Sequence, residues 1–139
     1  MIAKSSPIFD ILSQAWAVIS NIGDDTRAKK ALLSAEERLV DNEYRIVKLM
    51  DPPIKELDAG YIQNYPKGVR ENGGQYTHAA VWYAQALILN GQKDKGYQML
   101  DLINPITHTM TKESVRRYKG EPYVIAADVY SNSMFLGRA

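Results

Sequence analysis

Apolar residues recur every three or four positions in two stretches near the start of the chain, a spacing that predicts a pair of amphipathic helices. The first helix is predicted to begin with Ser6 as its cap and Pro7 in its first turn, and to end at Gly23. Its apolar positions are Ile8, Ile11, Leu12, Ala15, Trp16, Ile19 and Ile22. Asp24 and Asp25 are predicted to cap the second helix. Its expected buried stripe is Ala28, Ala31, Leu32, Ala35 and Leu39. The short turn between the two makes the pair antiparallel.

The periodicity changes after this pair. Residues 42–53, "NEYRIVKLMDPP", alternate briefly and stop at a double proline, which predicts a short strand or extended arm. No apolar stripe crosses residues 55–76, which are predicted to form a long loop. This loop contains Gly60, Pro66, Gly68, Gly73 and Gly74. A loop of about twenty residues inside a compact domain usually has a function.

A second helix pair follows the loop. Thr77 is predicted to cap the helix "HAAVWYAQALILN", which is apolar on nearly every side and therefore expected to be an inner helix ending at Asn90-Gly91. The next helix is predicted to end at Asn104-Pro105. Its buried face is expected to hold Tyr97, Leu100 and Ile103, with Lys93, Asp94 and Asp101 outside.

The last part of the chain is predicted to contain a short polar helix opened by Thr111 with Ser114, and then an apolar helix, "YVIAADVY", after Glu121-Pro122. The predicted fold class is therefore all-α, with helix pairs joined by polar loops. Such pairs fit either an α/α barrel or a helical solenoid. Because "WYAQALILNGQKDKGYQMLDLINP" is tetratricopeptide-like, a helical-repeat protein-interaction module remains an alternative.

Composition narrows the functional classes. Seventeen basic residues balance sixteen acidic ones in 139, so the near-zero net charge gives no reason to expect nucleic acid or an anionic membrane as partner. The chain has no cysteine and only two histidines, which argues against disulfides, thiol chemistry and a zinc centre. No apolar run reaches the length of a membrane span, and the start lacks a signal-peptide core, so a cytoplasmic location is expected.

The richest polar stretch is "RENGGQ", residues 70–75. Its glycine pair either lets a ligand approach the main chain closely or only makes a sharp turn. Glu71 is suited to accept a hydrogen bond from a sugar hydroxyl or to act as a general base, and its alternative is an ion pair with Arg70. His78 falls in the first turn of the predicted inner helix, where free amides favour an anion, or else it caps or packs.

Other residues are secondary candidates. Glu121 and Asp128 lie before and on the predicted apolar helix, where a carboxylate needs a partner, and Glu121 is the second site candidate. The aromatic residues that could stack on sugar rings are Trp16, Tyr65, Tyr76, Trp82 and Tyr123. Of these, Trp82 is assigned to the core.

Two segments carry a family resemblance. "GYIQNYPKGVRENGGQYTHAAVWYAQAL", followed by "LINPITHTMTKESVRRYKGEPYVIAADVY", closely resembles the carboxyl-terminal part of glycoside hydrolase family 94, and "LSQAWAVIS" matches the helix preceding this region. The family contains cellobiose, chitobiose and oligoglucan phosphorylases and the phosphorylase-like domain of cyclic β-1,2-glucan synthases. The amino-acid sequences of these motifs resemble those of the β-1,2-glucan branch more than those of cellobiose phosphorylase.

The resemblance implies that residues 1–139 are a carboxyl-terminal segment of an (α/α)6 catalytic barrel that binds a β-glucan oligosaccharide. It implies an inverting phosphorylase with inorganic phosphate as co-substrate and without a cofactor or metal. His78 matches the family's phosphate-binding histidine, and Glu71 matches a carboxylate of the sugar subsites. Arg70, Gly73, Gly74 and Gln75 match the wall around that carboxylate, and Glu121 lies in a Glu-Pro-Tyr segment near the same cavity.

The sequence also departs from the family. The family's general-acid aspartate lies in a tryptophan-aspartate motif, which is absent from these residues, and its Thr-Gly phosphate contacts follow the Gly-Arg that matches Gly137-Arg138. We therefore expect no phosphorolysis by this chain alone, and association with the remainder of a barrel or with a second copy. A carbohydrate-binding remnant without turnover is a third hypothesis.

Overall fold

The computed structural model describes residues 7–55 and 59–139, which are mostly helical. The helices are α1 (Ile11–Ile19), α2 (Asp25–Leu39), α3 (Thr77–Leu89), α4 (Lys93–Leu102), α5 (Pro105–His108) and α6 (Lys112–Tyr118). The strands are β1 (Phe9–Asp10), β2 (Val40–Asp41), β3 (Ile46–Val47), β4 (Met50–Asp51), β5 (Gln75–Tyr76) and β6 (Asp128–Val129). The predicted all-α class is confirmed, and the helix pairs have the arrangement of part of an (α/α)6 barrel.

Helix α1 begins later than the sequence predicts. Asp10 is its cap and accepts a hydrogen bond from the Ser13 amide at 2.8 Å, whereas Pro7 precedes the helix and Ser6 lies outside the described residues. The predicted end at Gly23 is also wrong, because α1 ends at Ile19. Strand β1 pairs antiparallel with β4, which keeps the chain extended up to Asp10. Pairing with a distant segment therefore sets the start of this helix.

Helix α2 follows its sequence pattern closely. The Asp24 carboxylate accepts a hydrogen bond from the Arg27 amide at 2.9 Å, as expected of an N-cap. Leu32, Ala35 and Leu39 are buried against the core, while Ala28 and Ala31 are half-buried.

The extended character predicted for residues 42–53 is confirmed. Strands β2 and β3 form a hairpin, and β4 pairs with β1. A third antiparallel pair, β5 with β6, joins the end of the long loop to the last part of the chain. These short ribbons hold the loop of residues 59–76 against the helices.

Helix α3 is the inner helix that the pattern predicts, and it packs against both α1 and α4. Seven of its 13 residues are buried, and the Tyr83 hydroxyl donates a hydrogen bond to the Leu32 carbonyl at 3.0 Å. The predicted cap is wrong: Thr77 is already helical, Tyr76 occupies the cap position, and no side chain caps the helix there. The Thr77 hydroxyl instead accepts a hydrogen bond from the Gln75 amide.

The predicted buried face of α4 is confirmed for Leu100 and Ile103 and wrong for Tyr97. Ile103 is buried and Leu100 packs half-buried against the core, whereas Tyr97 is 67% exposed. The buried positions also include Gly96, Met99 and Leu102. Gly96 faces α3 so closely that an added side chain would lie 3.0 Å from the Ala84 carbonyl and nearer still to another α3 side chain. This close approach fixes the rotation of α4 and points Tyr97 outward.

The predicted final helix "YVIAADVY" does not form. Its residues make turns and extended backbone, and only Asp128–Val129 has regular structure, as β6. Val129 is buried and pairs with Gln75, whereas Tyr123 is 81% exposed and Ile125 is 67% exposed. Of the apolar residues in this segment, Val129 therefore lies in a strand, whereas Tyr123 and Ile125 lie in the exposed segment before it. The preceding helix α6 is as predicted, with a capping box between Thr111 and Ser114.

Two apolar clusters result from this packing. The larger one contains residues of the four helices α1, α2, α3 and α4 and of the strands β3 and β4. The smaller one comprises Ile46, Tyr118 and Val129. Within residues 7–55 and 59–139, none of the helices combines the length and the apolar content that crossing a membrane requires.

Candidate functional site

Two buried amides fix the long loop from inside. Asn72 accepts a hydrogen bond from the Ile54 amide at 2.7 Å and donates one to the Tyr65 carbonyl at 2.8 Å. Gln75 accepts from the Val47 amide and donates to the Thr77 hydroxyl, both at 3.0 Å. Each residue is only 1% exposed. Gln75 is a predicted residue of the sugar wall, and both ends of its amide are used by contacts within the protein. Its role toward a sugar stays a prediction.

The glycine pair is also enclosed by protein. Gly73 has a φ of 92°, and an added side chain would come within 2.7 Å of Pro53. At Gly74 the same addition would lie 2.9 Å from the backbone nitrogen and oxygen of Arg70. The sharp turn anticipated for this pair is present, and it brings the backbone of Arg70 and Glu71 close against the following residues.

Arg70 and Glu71 point their charges at different partners. The Arg70 guanidinium lies 4.0 Å from the Asp128 carboxylate, contacts the Tyr65 hydroxyl at 3.5 Å and lies over the Tyr65 ring at 5.6 Å. The hydrogen bond that Arg70 donates to the Tyr65 hydroxyl and the charge of Asp128 raise the pKa of Arg70, so it stays cationic. The anticipated alternative, an ion pair between Arg70 and Glu71, is replaced by the pair with Asp128.

Glu71 is left with one bound and one unbound oxygen. Its Oε1 accepts a hydrogen bond from the Tyr61 hydroxyl at 3.2 Å, whereas Oε2 is buried and has no partner among the described residues. The Glu71 charge and this hydrogen bond raise the pKa of Tyr61, with smaller contributions from burial, Tyr65 and Tyr76. An unsatisfied carboxylate oxygen costs free energy until a donor reaches it.

His78 lies in the first turn of α3 and is exposed. Its ring meets the Tyr76 ring edge-on at 4.4 Å and the Trp82 ring edge-on at 4.8 Å. Trp82 in turn meets Trp16 at 5.2 Å. Trp82 packs against the core as expected but is only half-buried. The rings of Tyr76, His78, Trp82 and Trp16 form a continuous aromatic row, which holds the imidazole at the protein surface.

Tyr76 lies beside one of the two predicted binding residues. Its ring contacts His78, and it makes the smallest contribution to the raised pKa of Tyr61, the partner of Glu71. Tyr76 also pairs with Asp128 across β5 and β6, and Asp128 faces Arg70, the residue before Glu71. That the side chains of Glu71 and His78 open into one pocket remains a prediction.

Glu121 is exposed in a turn, where its carbonyl accepts a hydrogen bond from the Val124 amide at 3.3 Å. The next two residues, Pro122 and Tyr123, border a cavity of about 330 Å³ that Thr77 also lines. This places the Glu-Pro-Tyr segment beside the start of α3. The role of Glu121 toward a substrate stays a prediction.

Two residues of this surface, Tyr61 and Asp128, are not predicted site residues. Tyr61 is 62% exposed in a 3-10 helix over Gly60–Asn64, where no apolar period marks it. Asp128 was placed on a helix that does not form, and it reaches Arg70 only because β6 pairs with β5. A clustering of tyrosines in "GYIQNYP" was the available signal.

The fold and this surface define a segment of a helical barrel with a carboxylate and a histidine beside an aromatic row. Residues 3–139 match the catalytic domain of the Glycosyl hydrolase 94 superfamily, and the chain belongs to that family.

Three relatives illustrate the match. The chain is 40% identical over 131 residues to the cyclic beta-(1,2)-glucan synthase of Rhizobium meliloti, covering 93% of this chain and 5% of the relative. It is 30% identical over 95 residues to the solabiose phosphorylase of Paenibacillus borealis, covering 67% of this chain and 12% of the relative. It is 23% identical over 111 residues to the N,N'-diacetylchitobiose phosphorylase of Vibrio proteolyticus, covering 80% of this chain and 14% of the relative. The chain thus spans a small part of the length of each.

Proposed function

We propose that this chain supplies saccharide and phosphate contacts to an inverting glycoside phosphorylase that acts on β-glucosidic bonds. Glu71 carries the proposal, because its Oε2 is buried without a partner among the described residues while Tyr61 holds Oε1. A sugar hydroxyl is a donor that would satisfy Oε2, and a charged acceptor makes that hydrogen bond a strong one. The exposed tyrosine beside it offers a flat apolar face to a sugar ring.

His78 is the proposed phosphate contact. It is exposed in the first turn of a 13-residue helix, where free backbone amides and the helix dipole favour an anion. The rings of Tyr76 and Trp82 flank the imidazole and limit its movement. A fixed donor loses less conformational entropy when a ligand binds.

In the proposed reaction, a phosphate oxygen forms a bond to the anomeric carbon as the glycosidic carbon-oxygen bond breaks. A carboxylic acid gives its proton to the departing oxygen, and the anomeric configuration inverts, as in an inverting hydrolase with phosphate in place of water. Neither tryptophan of these residues is followed by aspartate, so the family's acid motif is not among them. Loss of a general acid lowers rates about 10²- to 10⁴-fold, and we expect no phosphorolysis by this chain alone.

A β-1,2-glucan is the proposed substrate, with a cytoplasmic location. The glucan synthase relative supports the β-1,2 linkage, because it is 40% identical over nearly the whole chain. The names of the two phosphorylase relatives support inorganic phosphate as the co-substrate. Exposed Tyr123, Ile125 and Ile106 support the remainder of a barrel or a second copy as a further partner.

Titration calorimetry tests the two binding assignments separately. A β-1,2-glucooligosaccharide should release heat on binding to the unaltered chain and to His78→Ala, but bind Glu71→Gln at least about tenfold more weakly, since a lost charged hydrogen bond is worth about 1.5–3 kcal/mol. Phosphate should release heat on binding to the unaltered chain and to Glu71→Gln, but bind His78→Ala at least about tenfold more weakly. Heat from the sugar with none from phosphate would refute the role of His78, and the absence of sugar binding would refute the proposed function.

A further inference from the structure

A polar cavity lies away from the loop that carries Glu71. It has a volume of about 570 Å³ and lies between α2, the turn from β2 to β3, and α4. This volume is within the range of about 300–1,000 Å³ typical of small-ligand sites. Its lining includes Glu36, Asn42, Arg45, Tyr97, Gln98 and Asp101. None of its lining residues belongs to the loop or to the start of α3.

Tyr97 gives this cavity an aromatic surface. Its side chain is 67% exposed, although a tyrosine in a helix of this kind would ordinarily pack inward. The outward position is imposed by Gly96, which faces α3 at close range. A rigid, exposed ring with a polar hydroxyl offers a large contact area at a small cost in conformational entropy.

Fixed polar groups surround the ring. The Arg45 Nη2 donates to the Asp101 carboxylate at 3.0 Å and to the Asp101 carbonyl at 2.7 Å. The Lys95 ammonium donates to the Glu36 carboxylate at 2.5 Å. These contacts hold two carboxylates in place without using all of their acceptor capacity. Asn42 is exposed, as is Gln98, so their amides add both donors and acceptors to the cavity.

The charge of the cavity does not favour an anion. Three carboxylates line it, those of Glu36, Asp94 and Asp101; Arg45 pairs with Asp101 and Lys95 pairs with Glu36, which leaves the charge of Asp94 over. A phosphate or sugar phosphate therefore meets no excess of positive charge. An uncharged polyol needs none, because its hydroxyls can donate to carboxylates and accept from amides and a guanidinium.

We propose that this cavity is a second saccharide site, in which the apolar face of a sugar ring stacks on Tyr97. The ring hydroxyls hydrogen-bond with Asp101 and with the amides of Asn42 and Gln98. The site takes a neutral oligosaccharide and holds it outside the loop that carries Glu71. Its existence does not depend on the role proposed for Glu71 and His78.

Nuclear magnetic resonance of the 139-residue chain tests this site with a β-1,2-linked glucooligosaccharide as the probe. The amide signals of Tyr97 and Gln98 should shift and saturate as the sugar is added. Tyr97→Ala should weaken the affinity measured at Gln98 about tenfold, as expected for loss of a central aromatic contact. Tyr123→Ala is the matched control, because that ring is 81% exposed beside a different cavity, and its affinity should be unchanged.

Glu71→Gln separates this site from the proposed function. It should weaken the affinity measured from sugar-dependent shifts in the loop of residues 59–76 at least about tenfold, and leave the affinity measured at Tyr97 and Gln98 unchanged. Shifts on α4 that vanish with Glu71→Gln would overturn the second site. So would an absence of shifts on α4 in the unaltered chain, or equal affinity in Tyr97→Ala and Tyr123→Ala.

Discussion

His78 and His108 both lie at the end of a helix, yet their surroundings differ. His78 is exposed at the start of α3, and two aromatic rings meet it edge-on. His108 is 4% exposed at the end of α5 and stacks flat on Tyr118, with ring centres 4.5 Å apart and planes 14° from parallel. One imidazole can reach a ligand, and the other is enclosed.

The surroundings of His108 and of Glu71 also differ in how exposed their polar groups are. Burial lowers the pKa of His108 to about 4, helped by the charges of Arg45 and Arg117, so this histidine is neutral near pH 7. Its Nε2 has no partner among the described residues, and Tyr118 covers the ring. The unsatisfied oxygen of Glu71 is also buried, but the Glu71 side chain is partly exposed and lies beside the exposed Tyr61. His108 thus lies in a packed junction, whereas Glu71 and His78 reach the protein surface.

Gly68→Ala should produce the largest effect, because it breaks the support of the loop region. Gly68 has a φ of 78°, and an added side chain would lie 2.5 Å from the Asn132 backbone nitrogen. Backbone strain and overpacking each cost about 1–3 kcal/mol, so we expect a loss of about 3 kcal/mol or more in the free energy of unfolding. Urea denaturation measures it.

Gly60→Ala is the control for that variant. Gly60 also has a positive φ, 61°, but no atom of residues 7–55 or 59–139 lies within 4 Å of the added atom. Only the strain of about 1–2 kcal/mol should appear. Equal losses in the two variants would contradict the claim that contact with Asn132 supports the loop.

Acid should destabilise the chain through His108. A histidine has a pKa of about 6.5 when unfolded, and His108 has a pKa of about 4 in the folded protein. The unfolded chain therefore binds more protons between these values, so stability is full above about pH 6.5 and falls as the pH drops toward 4. The loss should reach at most about 3 kcal/mol, measured by urea denaturation across this range.

Two histidine variants sharpen the contrast under acid. His108→Gln should remove this part of the pH dependence, since no imidazole remains to be protonated at the junction. His78→Gln should keep it, because its ring is exposed. A pH dependence that survives in His108→Gln and disappears in His78→Gln would reverse the comparison.

Tyr61→Phe should have the smallest effect, confined to the loop surface. It removes the hydroxyl that donates to Glu71 and keeps the exposed ring. One hydrogen bond to a charged group orients the carboxylate, so saccharide affinity should fall about three- to tenfold, with little change in stability. Calorimetry with the β-1,2-glucooligosaccharide measures it.

Tyr65→Phe provides the comparison for Tyr61→Phe. The Tyr65 hydroxyl contacts Arg70 at 3.5 Å, and its ring packs edge-on against Tyr61. Saccharide affinity should change less in this variant than in Tyr61→Phe. The opposite order would show that Arg70, and not the bond from Tyr61, positions Glu71.

Local signals predicted much of the helical framework. The cap at Asp24, the inner helix α3, and the capping box of α6 depend on residues within a few positions of one another. Such features are visible in a sequence because both partners are adjacent.

Distant contacts account for what the sequence did not predict. The start of α1 depends on pairing with β4. In the segment expected to be a final helix, Asp128 and Val129 pair with β5 instead, and Val129 is buried beside Ile46 and Tyr118. The outward position of Tyr97 follows from the fit of Gly96 against α3. No local period encodes these contacts.

The candidate site also combines residues with a local sequence signal and residues without one. Glu71 and His78 are predicted from the motif around them, because Glu71 lies beside a glycine pair and His78 lies at a helix start. Tyr61 and Asp128 join them only after the loop and the β5–β6 ribbon have folded. Tyr61 acts through Glu71 and Asp128 acts through Arg70, so neither can be predicted before the position of its partner in the fold is known.

The most direct test of the central claim follows the imidazole signals of both histidines by nuclear magnetic resonance while phosphate, and then a β-1,2-glucooligosaccharide, are added to the chain. We expect saturable shifts of the His78 ring with phosphate and sugar-dependent shifts around Glu71, with His108 unchanged in both titrations. Shifts at His108 alone, or a His78 ring indifferent to phosphate, would contradict it.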